Sequence, residues 1–159
     1  MTQWNGRELA PVSESAAADI EVWATMPTDS GTLWEALNAT MITHDSARIW
    51  AIPMFLYGLH YGDTVSVIPS AEGPLVVTEI VGRSGYVTFR VWLGEEGCRA
   101  TWRSVAETYA ERGCIVDVWS ERLLALSCEE HRALDIQSHL SRESVAQSFI
   151  WEPGTYPEE

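Results

Sequence analysis

The sequence of 159 residues contains no lysine, so all ten of its positively charged side chains are arginines. A phosphate-binding P-loop, a protein kinase and a pyridoxal-phosphate enzyme each require a lysine at the phosphate or at the reacting centre. The missing lysine therefore excludes these three classes, unless another chain supplies the residue.

Positive charge is scarce in general, because ten arginines stand against 23 acidic residues and give a formal net charge of −13. The excess lies in residues 1–45 (one arginine, seven acids) and 94–159 (six arginines, thirteen acids), while residues 46–93 are neutral. Nucleic acids are bound by cationic groups that release counterions, so we expect no nucleic-acid partner. Such a charge attracts a basic protein; the alternative is an acidic surface whose only role is to keep the protein soluble.

Cysteines and long apolar runs are also few. Cys98, Cys114 and Cys128 show no C-x-x-C spacing, which favours reduced thiols in a cytoplasmic protein. No apolar run reaches about 18 residues, so we expect no membrane span. The N-terminal residues lack the charged start and apolar stretch of a secretion signal, and we expect none.

The four histidines form no pattern that is typical of a metal site. His131 and His139 are eight residues apart on a predicted helix, which separates them by about 12 Å, too far to share one ion. We expect no metal and no cofactor. No catalytic constellation is visible either, so enzymatic activity is left open with a preference against it.

Strict alternation marks a strand from Tyr86 to Leu93. Its odd-numbered residues are apolar, whereas its even-numbered face carries Tyr86, Thr88, Arg90 and Trp92. A period of two is the signature of a sheet with two unlike faces. Similar patterns and turn residues predict strands at 21–26 (ended by Pro27), 32–43, 48–52, 64–68, 75–81, 115–119 and 122–127.

Helical periodicity appears only in the second half. Residues 99–112 place one apolar stripe at Trp102, Val105, Ala106 and Tyr109, and Gly113 follows as an end signal. Ser127 and Glu130 fit a capping box, which predicts a second helix from near Glu129 to about Leu140, with a broken continuation towards Phe149.

The order of these elements predicts an α+β fold. An antiparallel, partly barrel-like N-terminal sheet is followed by a β-α-β-β-α ferredoxin-like half, in which the crossover places two strands parallel in one sheet. Residues 1–19 are interpreted as a polar N-terminal arm, 20–150 as a single domain and 151–159 as a C-terminal tail.

Several motifs follow one another in an order that resembles a known family. They are Leu33-Trp34, Ile52-Pro53-Met54-Phe55-Leu56-Tyr57-Gly58, Tyr61-Gly62-Asp63-Thr64-Val65 and the segment Arg83-Ser84-Gly85-Tyr86-Val87-Thr88-Phe89-Arg90-Val91. The chain resembles, over about residues 20–150, a bacterial family known as domain of unknown function 4265. This resemblance implies a shared fold, but neither a substrate nor catalytic residues.

The most informative polar residue is Arg90, which lies in the middle of its strand. It either faces solvent or pairs with an acid such as Asp63 or Glu79, or it forms part of an anion or carboxylate site, because arginine binds carboxylates in a bidentate manner. For that ligand site the candidate residues are Tyr57, Asp63, Arg83, Ser84 and Arg90. Gly82-Arg83-Ser84-Gly85 is one residue short of a nucleophile elbow, and a hairpin turn is the favoured interpretation.

Three hypotheses of function remain open. The favoured one is an acidic, non-enzymatic binding protein, such as an inhibitor or an immunity-type protein that neutralises a basic partner. Trp4 and Trp151, which lie in polar segments, either dock the chain ends on the body or contact that partner. The alternatives are a small ligand-binding or enzymatic domain around Arg90 and Ser84, and a homo-oligomer that pairs exposed sheet edges.

Overall fold

A computed structural model of the chain describes residues 1–94 and 97–155. Its elements, in chain order, are β1 (Thr2–Trp4), β2 (Leu9–Pro11), α1 (Ser13–Ala16), β3 (Ile20–Thr28), β4 (Gly31–Met41), β5 (Ser46–Ile49), β6 (Thr64–Pro69), β7 (Leu75–Gly82), β8 (Tyr86–Trp92), α2 (Trp102–Glu111), β9 (Ile115–Ser120), β10 (Leu123–Glu129), α3 (Ala133–Gln147) and β11 (Ile150–Pro153). A 3-10 turn at Glu130–Arg132 precedes α3.

Strands β3 to β7 form a closed five-stranded barrel. Neighbouring strands pair antiparallel from β3 to β7, and the barrel closes where Val22 and Trp23 of β3 pair in parallel with Leu75 and Val76 of β7. Alternation decides which side chains fill the interior, and all except Leu37 are small or β-branched: Val22, Ala24, Leu37, Ala39, Ala47, Ile49, Val65 and Val67. The barrel-like prediction for the N-terminal half is confirmed.

The second half forms a six-stranded sheet together with the N-terminal strands β1 and β2, in the order β11-β8-β10-β9-β1-β2. Strand β10 pairs antiparallel with both β8 and β9, so β8 and β9 run parallel with β10 between them. This is the predicted split β-α-β, and β11 adds a fourth strand beside β8 that completes the strand order of a ferredoxin-like unit.

The two faces of this sheet pack against different parts of the molecule, which explains why their side chains differ. Helices α2 and α3 pack on the face that carries Phe89, Val91 and Leu93, together with the helical residues Val105 and Tyr109. The opposite face, which carries Tyr86, packs on the loop from 50 to 63 in a separate apolar cluster. The barrel and the sheet therefore share one seam, and this seam positions the candidate site.

The predicted N-terminal arm and C-terminal tail both contribute strands. Within residues 1–19, β1 pairs with β9 and β2 pairs with β1, and Val12 is 2% exposed. Within the tail, β11 pairs with β8 through residue 153, while residues 156–159 lie outside the described part of the chain. Strands of three or four residues are too short to show alternation, which is why these segments read as polar and irregular.

Two local predictions are corrected as well. Ser127 is not a helix cap: it is fully buried in β10, and α3 begins six residues later at Ala133 and continues to Gln147. Strand β3 continues through Pro27 to Thr28, because its pairing with β7 covers only Val22 and Trp23, so Pro27 lies where β3 has a free edge.

Within residues 1–94 and 97–155, none of the helices is both long enough and apolar enough to cross a bilayer.

Candidate functional site

The structure divides the predicted ligand residues into two sets. Asp63, Arg83 and Ser84 form one cluster at the end of the barrel, which we call the Asp63 cluster. Tyr57 and Arg90 form another with Glu152 of β11, which we call the Arg90 cluster. The segment from 56 to 60 links the two, because its backbone groups accept or donate bonds in both clusters.

The Asp63 carboxylate is completely buried and acts as a hub for the turn before β8. Its Oδ1 accepts a hydrogen bond from the backbone N–H of Ser84 at 2.8 Å, and its Oδ2 accepts one from the backbone N–H of His60 at 3.1 Å. Arg83 donates to the same Oδ2 at 3.1 Å and also to the carbonyl of Gly58. Three donors on one buried carboxylate fix both loops in place.

The Ser84 hydroxyl is engaged on both sides. It donates to the carbonyl of Tyr61 at 2.6 Å and accepts from the N–H of Tyr86 at 3.1 Å. Gly85 adopts φ 79°, and a Cβ on Gly62 would lie 3.0 Å from the Ser84 Cβ, so the two loops meet closely here. The hairpin interpretation of Gly82–Gly85 is wrong, because β7 pairs within the barrel and β8 within the six-stranded sheet. The segment is the turn that leads from the barrel to the sheet, and its serine fastens this turn to the Tyr61 loop.

Arg90 is 5% exposed, so the face on which it lies is not solvated. Its Nη1 donates to Glu152 Oε1 at 3.0 Å, its Nη2 donates to the carbonyl of Leu56, and its guanidinium carbon lies 4.4 Å from the centre of the Tyr57 ring. The Tyr57 hydroxyl donates to the same Glu152 oxygen at 3.0 Å. The predicted pairing of Arg90 with an acid is therefore present, but the acid is Glu152 and not Asp63 or Glu79.

Burial keeps these polar groups in their donor and acceptor roles. Desolvation raises the pKa of Tyr57, and its hydrogen bond to Glu152 raises it further, so the phenol stays protonated and donates. The Arg90 Nε is buried and, among the described residues, has no hydrogen-bond partner. The other two guanidinium nitrogens of Arg90 donate to Glu152 and to the carbonyl of Leu56, so its charge is used within the protein.

A groove lies along the seam above the Arg90 cluster. It has a volume of about 430 Å³, and we call it the seam groove. Its lining is mainly apolar, with Tyr57, Arg90 and Glu152 as the polar groups: Met26, Leu33, Met54, Phe55, Trp92, Leu123, Ile150 and Trp151 complete it. Trp92 and Ile150, which pair across β8 and β11, are 45% and 62% exposed. A cavity of this size and composition is typical of a binding site.

The two tryptophans named as candidates for partner contact both pack on the body, and Trp151 also lines the seam groove. Trp4 and Trp151 are half-buried against the core beneath the helices, and Trp151 lies 5.9 Å from Phe89 in an edge-to-face arrangement. The most exposed indole described is that of Trp119, at 65%, which meets Phe55 edge-to-face at 5.2 Å beside the same seam.

Glu35 is a functional residue of the fold that the sequence pattern did not reveal. Its carboxylate, reaching from β4, accepts hydrogen bonds from three successive backbone N–H groups, those of Met54 (2.6 Å), Phe55 (3.0 Å) and Leu56 (3.2 Å). Three consecutive donors form an anion-binding concavity, and here the protein's own carboxylate fills it. This contact sets the shape of the seam groove, since Met54 and Phe55 line it.

His60 is a buried titratable residue in the segment that links the two clusters. Its side chain is 6% exposed and its Nδ1 lies 3.0 Å from the Thr88 hydroxyl. Burial lowers the pKa of His60 below 6.5, the nearby Asp63 opposes this, and Arg83 and Arg90 add to it. The neutral imidazole is therefore the folded form.

We expect the protein to lose stability as the pH falls below about 6.5, the pKa of histidine in an unfolded chain. A base whose folded pKa is lowered contributes its full stability above that value and loses it as the pH falls through the folded pKa. Urea unfolding at pH 7.5 and pH 5.5 measures the change, and it should be smaller in His60→Asn, which keeps a group near Nδ1 but does not titrate. An equal pH dependence in both proteins would contradict this role of His60.

Among residues 1–94 and 97–155, no three histidine, cysteine or acidic side chains come together as they would around a metal ion.

Comparison with known proteins gives a family and a fold. A family model described as "Domain of unknown function (DUF4265)" matches residues 35–149. No curated protein matches the chain. The fold is similar to that of a solved structure described as "Novel crystal structure of a hypothetical protein from Neisseria gonorrhoeae", with a TM-score of 0.73 and 14% sequence identity over 88% of this chain and 96% of that one. At this identity the likeness shows the shared fold alone.

Proposed function

The chain belongs to this family of unknown function, and from its own geometry we propose that it is an acidic, non-enzymatic binding protein. Its seam groove receives an apolar side chain of a basic partner protein. The observation that carries this proposal is the apolar groove with a 48% exposed carboxylate, Glu152, at its edge, in a protein of net charge −13. An inhibitor or immunity-type role fits such a surface.

Charge and apolar area play different parts in this proposal. The negative field of the protein draws a basic partner towards it and speeds the encounter. The exposed Trp92, Ile150 and Trp119 then provide the aromatic and aliphatic anchors that dominate the energy of most interfaces. Glu152 is placed to accept a hydrogen bond from a cationic group that enters beside them.

The alternative, an anion or substrate site around Arg90 and Ser84, has less support. The Ser84 hydroxyl is bonded on both sides, and the guanidinium of Arg90 is directed to Glu152, Leu56 and Tyr57. A ligand anion at Arg90 would have to displace Glu152 from its hydrogen bonds to Arg90 and Tyr57.

Pairing of sheet edges between copies remains a prediction. The outer strands of the six-stranded sheet are β2 and β11, with three and four residues. Short edges offer few backbone groups to a second chain.

The cytoplasmic location is likewise a proposal, and the three free thiols support it.

Affinity capture from the native lysate, at low and at moderate salt, tests the proposed function. We expect the wild-type protein to retain a protein of high isoelectric point, and the double variant Trp92→Ser, Ile150→Ser to lose most of it. Leu134→Ser is the matched control, because Leu134 is 78% exposed on α3 and is not a lining residue of the seam groove. Failure to retain a basic protein, or equal capture by all three proteins, would reject the proposal.

A further inference from the structure

A second groove lies on the outer wall of the barrel, away from the seam. Its volume is about 620 Å³, and two tryptophans line it; we call it the indole groove. Its lining residues are Trp23, Trp34, Ser70, Ala71, Glu72, Pro74 and Val76. It shares no lining residue with the seam groove.

Strand register explains why the two indoles come together. Trp23 of β3 lies opposite Ala36 of β4 on one side and opposite Val76 of β7 on the other. Trp34 lies opposite Thr25, so it is the diagonal neighbour of Trp23, within reach of an aromatic side chain. Since Val22 and Ala24 point into the barrel, Trp23 points outward. The turn between β6 and β7 forms the opposite wall.

The exposure of these residues marks the groove as an open surface. Trp34 is 51% exposed and Glu72 is exposed in the turn that faces it. An indole that remains half in water leaves a large apolar area without partners, which monomeric proteins usually keep for recognition.

The surroundings of the groove are strongly negative. Residues 20–82, which contain the barrel, carry seven acidic side chains, of which five are exposed, and one arginine, Arg48. Arg48 lies on β5, which β4 separates from β3. Glu72 is in the lining, and Glu21 is exposed two residues before Trp23 and thus on the same outer face. Indole faces and carboxylates both attract cations.

We propose that the indole groove binds an arginine side chain within an extended basic segment of a partner protein. A guanidinium stacks on an indole through its plane while its edge donates to a carboxylate, here Glu72, which an ammonium group does less well. The groove is larger than one side chain and lies within the range of sites that take ligands of several groups, which favours a peptide over a free cation.

Titration with a short capped peptide, acetyl-glycyl-arginyl-glycyl-prolyl amide, tests this site at about 150 mM salt, where long-range attraction is screened. The same peptide with citrulline in place of arginine keeps the shape and removes the charge. The readout is the set of tryptophan indole N–H signals in a nitrogen–proton correlation spectrum, assigned with Trp23→Phe and Trp34→Phe.

We expect the arginine peptide to shift the signals of Trp23 and Trp34, and the citrulline peptide to leave them unchanged. Trp34→Ala and Glu72→Gln should each weaken the binding by about fivefold or more. Trp119→Ala, the matched control, removes an indole beside the other groove that is 65% exposed, against 51% for Trp34, and should bind the peptide as the wild type does.

Three results would overturn the site: equal shifts with citrulline, shifts confined to other tryptophans, or unchanged affinity in both Trp34→Ala and Glu72→Gln. Both of these side chains are exposed, and an unchanged spectrum of the remaining residues verifies that the variants fold. Loss of this site leaves the proposal for the seam groove intact, because the two grooves are tested with different variants.

Discussion

Replacing Asp63 with alanine is expected to lower the free energy of unfolding by about 4 kcal/mol, because two backbone N–H groups lose a fully buried acceptor and an ion pair is broken. The backbone N–H groups of His60 and Ser84 lose their acceptor, and Arg83 loses its counterion. For a chain of this size the change corresponds to a decrease in Tm of about 8–16 °C. Urea and thermal unfolding measure it.

Two further variants define what Asp63 contributes. In Asp63→Asn, one oxygen still accepts from Ser84, but the new amide faces the donors of His60 and Arg83, so most of the loss should remain. Asp45→Ala is the control, since Asp45 is an exposed acid in another turn and should change stability by less than about 1 kcal/mol. Equal losses in Asp63→Ala and Asp45→Ala would show that the buried network is not a major source of stability.

Replacing Glu35 with alanine is expected to lower the free energy of unfolding by about 3 kcal/mol, because three backbone donors lose one acceptor and only partial compensation by water is available. The effect should be concentrated in the seam. Hydrogen exchange of the Met54, Phe55 and Leu56 amides should speed up markedly, while the amides of β8 and β10 exchange as in the wild type.

Glu79→Ala is the control for Glu35, since Glu79 is an exposed strand acid on β7 and has no comparable set of backbone donors among the described contacts. If Glu35→Ala leaves the exchange of residues 54–56 unchanged, the loop is held by its apolar packing and not by the carboxylate. The shape of the seam groove would then not depend on Glu35.

Periodic segments of the sequence predicted the fold well. The alternation of β8 identified both of its faces, and the stripe of α2 identified Val105 and Tyr109 as core residues. The ferredoxin-like prediction followed from the order of strand β8, helix α2, strands β9 and β10 and helix α3. Its last strand, β11, has only four residues and begins directly after the left-handed Ser148 and buried Phe149, so no periodicity marked it.

The candidate site was predictable in its residues but not in its arrangement. The sequence identified Arg90 and Asp63 as unusual polar residues in apolar segments. Their partners come from residues far along the chain, because Glu152 is 62 positions from Arg90 and Glu35 is 19 positions from Met54. Only the register of β11 beside β8 and the closure of the barrel bring these groups together.

The pairing of β8 with β11 also sets the order in which the molecule is completed during synthesis. All strands of the barrel have been made once residue 82 is reached, whereas Arg90 is paired only after Glu152, 62 positions further along the chain, has been made. A nascent or shortened chain that stops before residue 150 would carry a buried cation without its carboxylate. The seam can therefore form completely only after β11 has been synthesised.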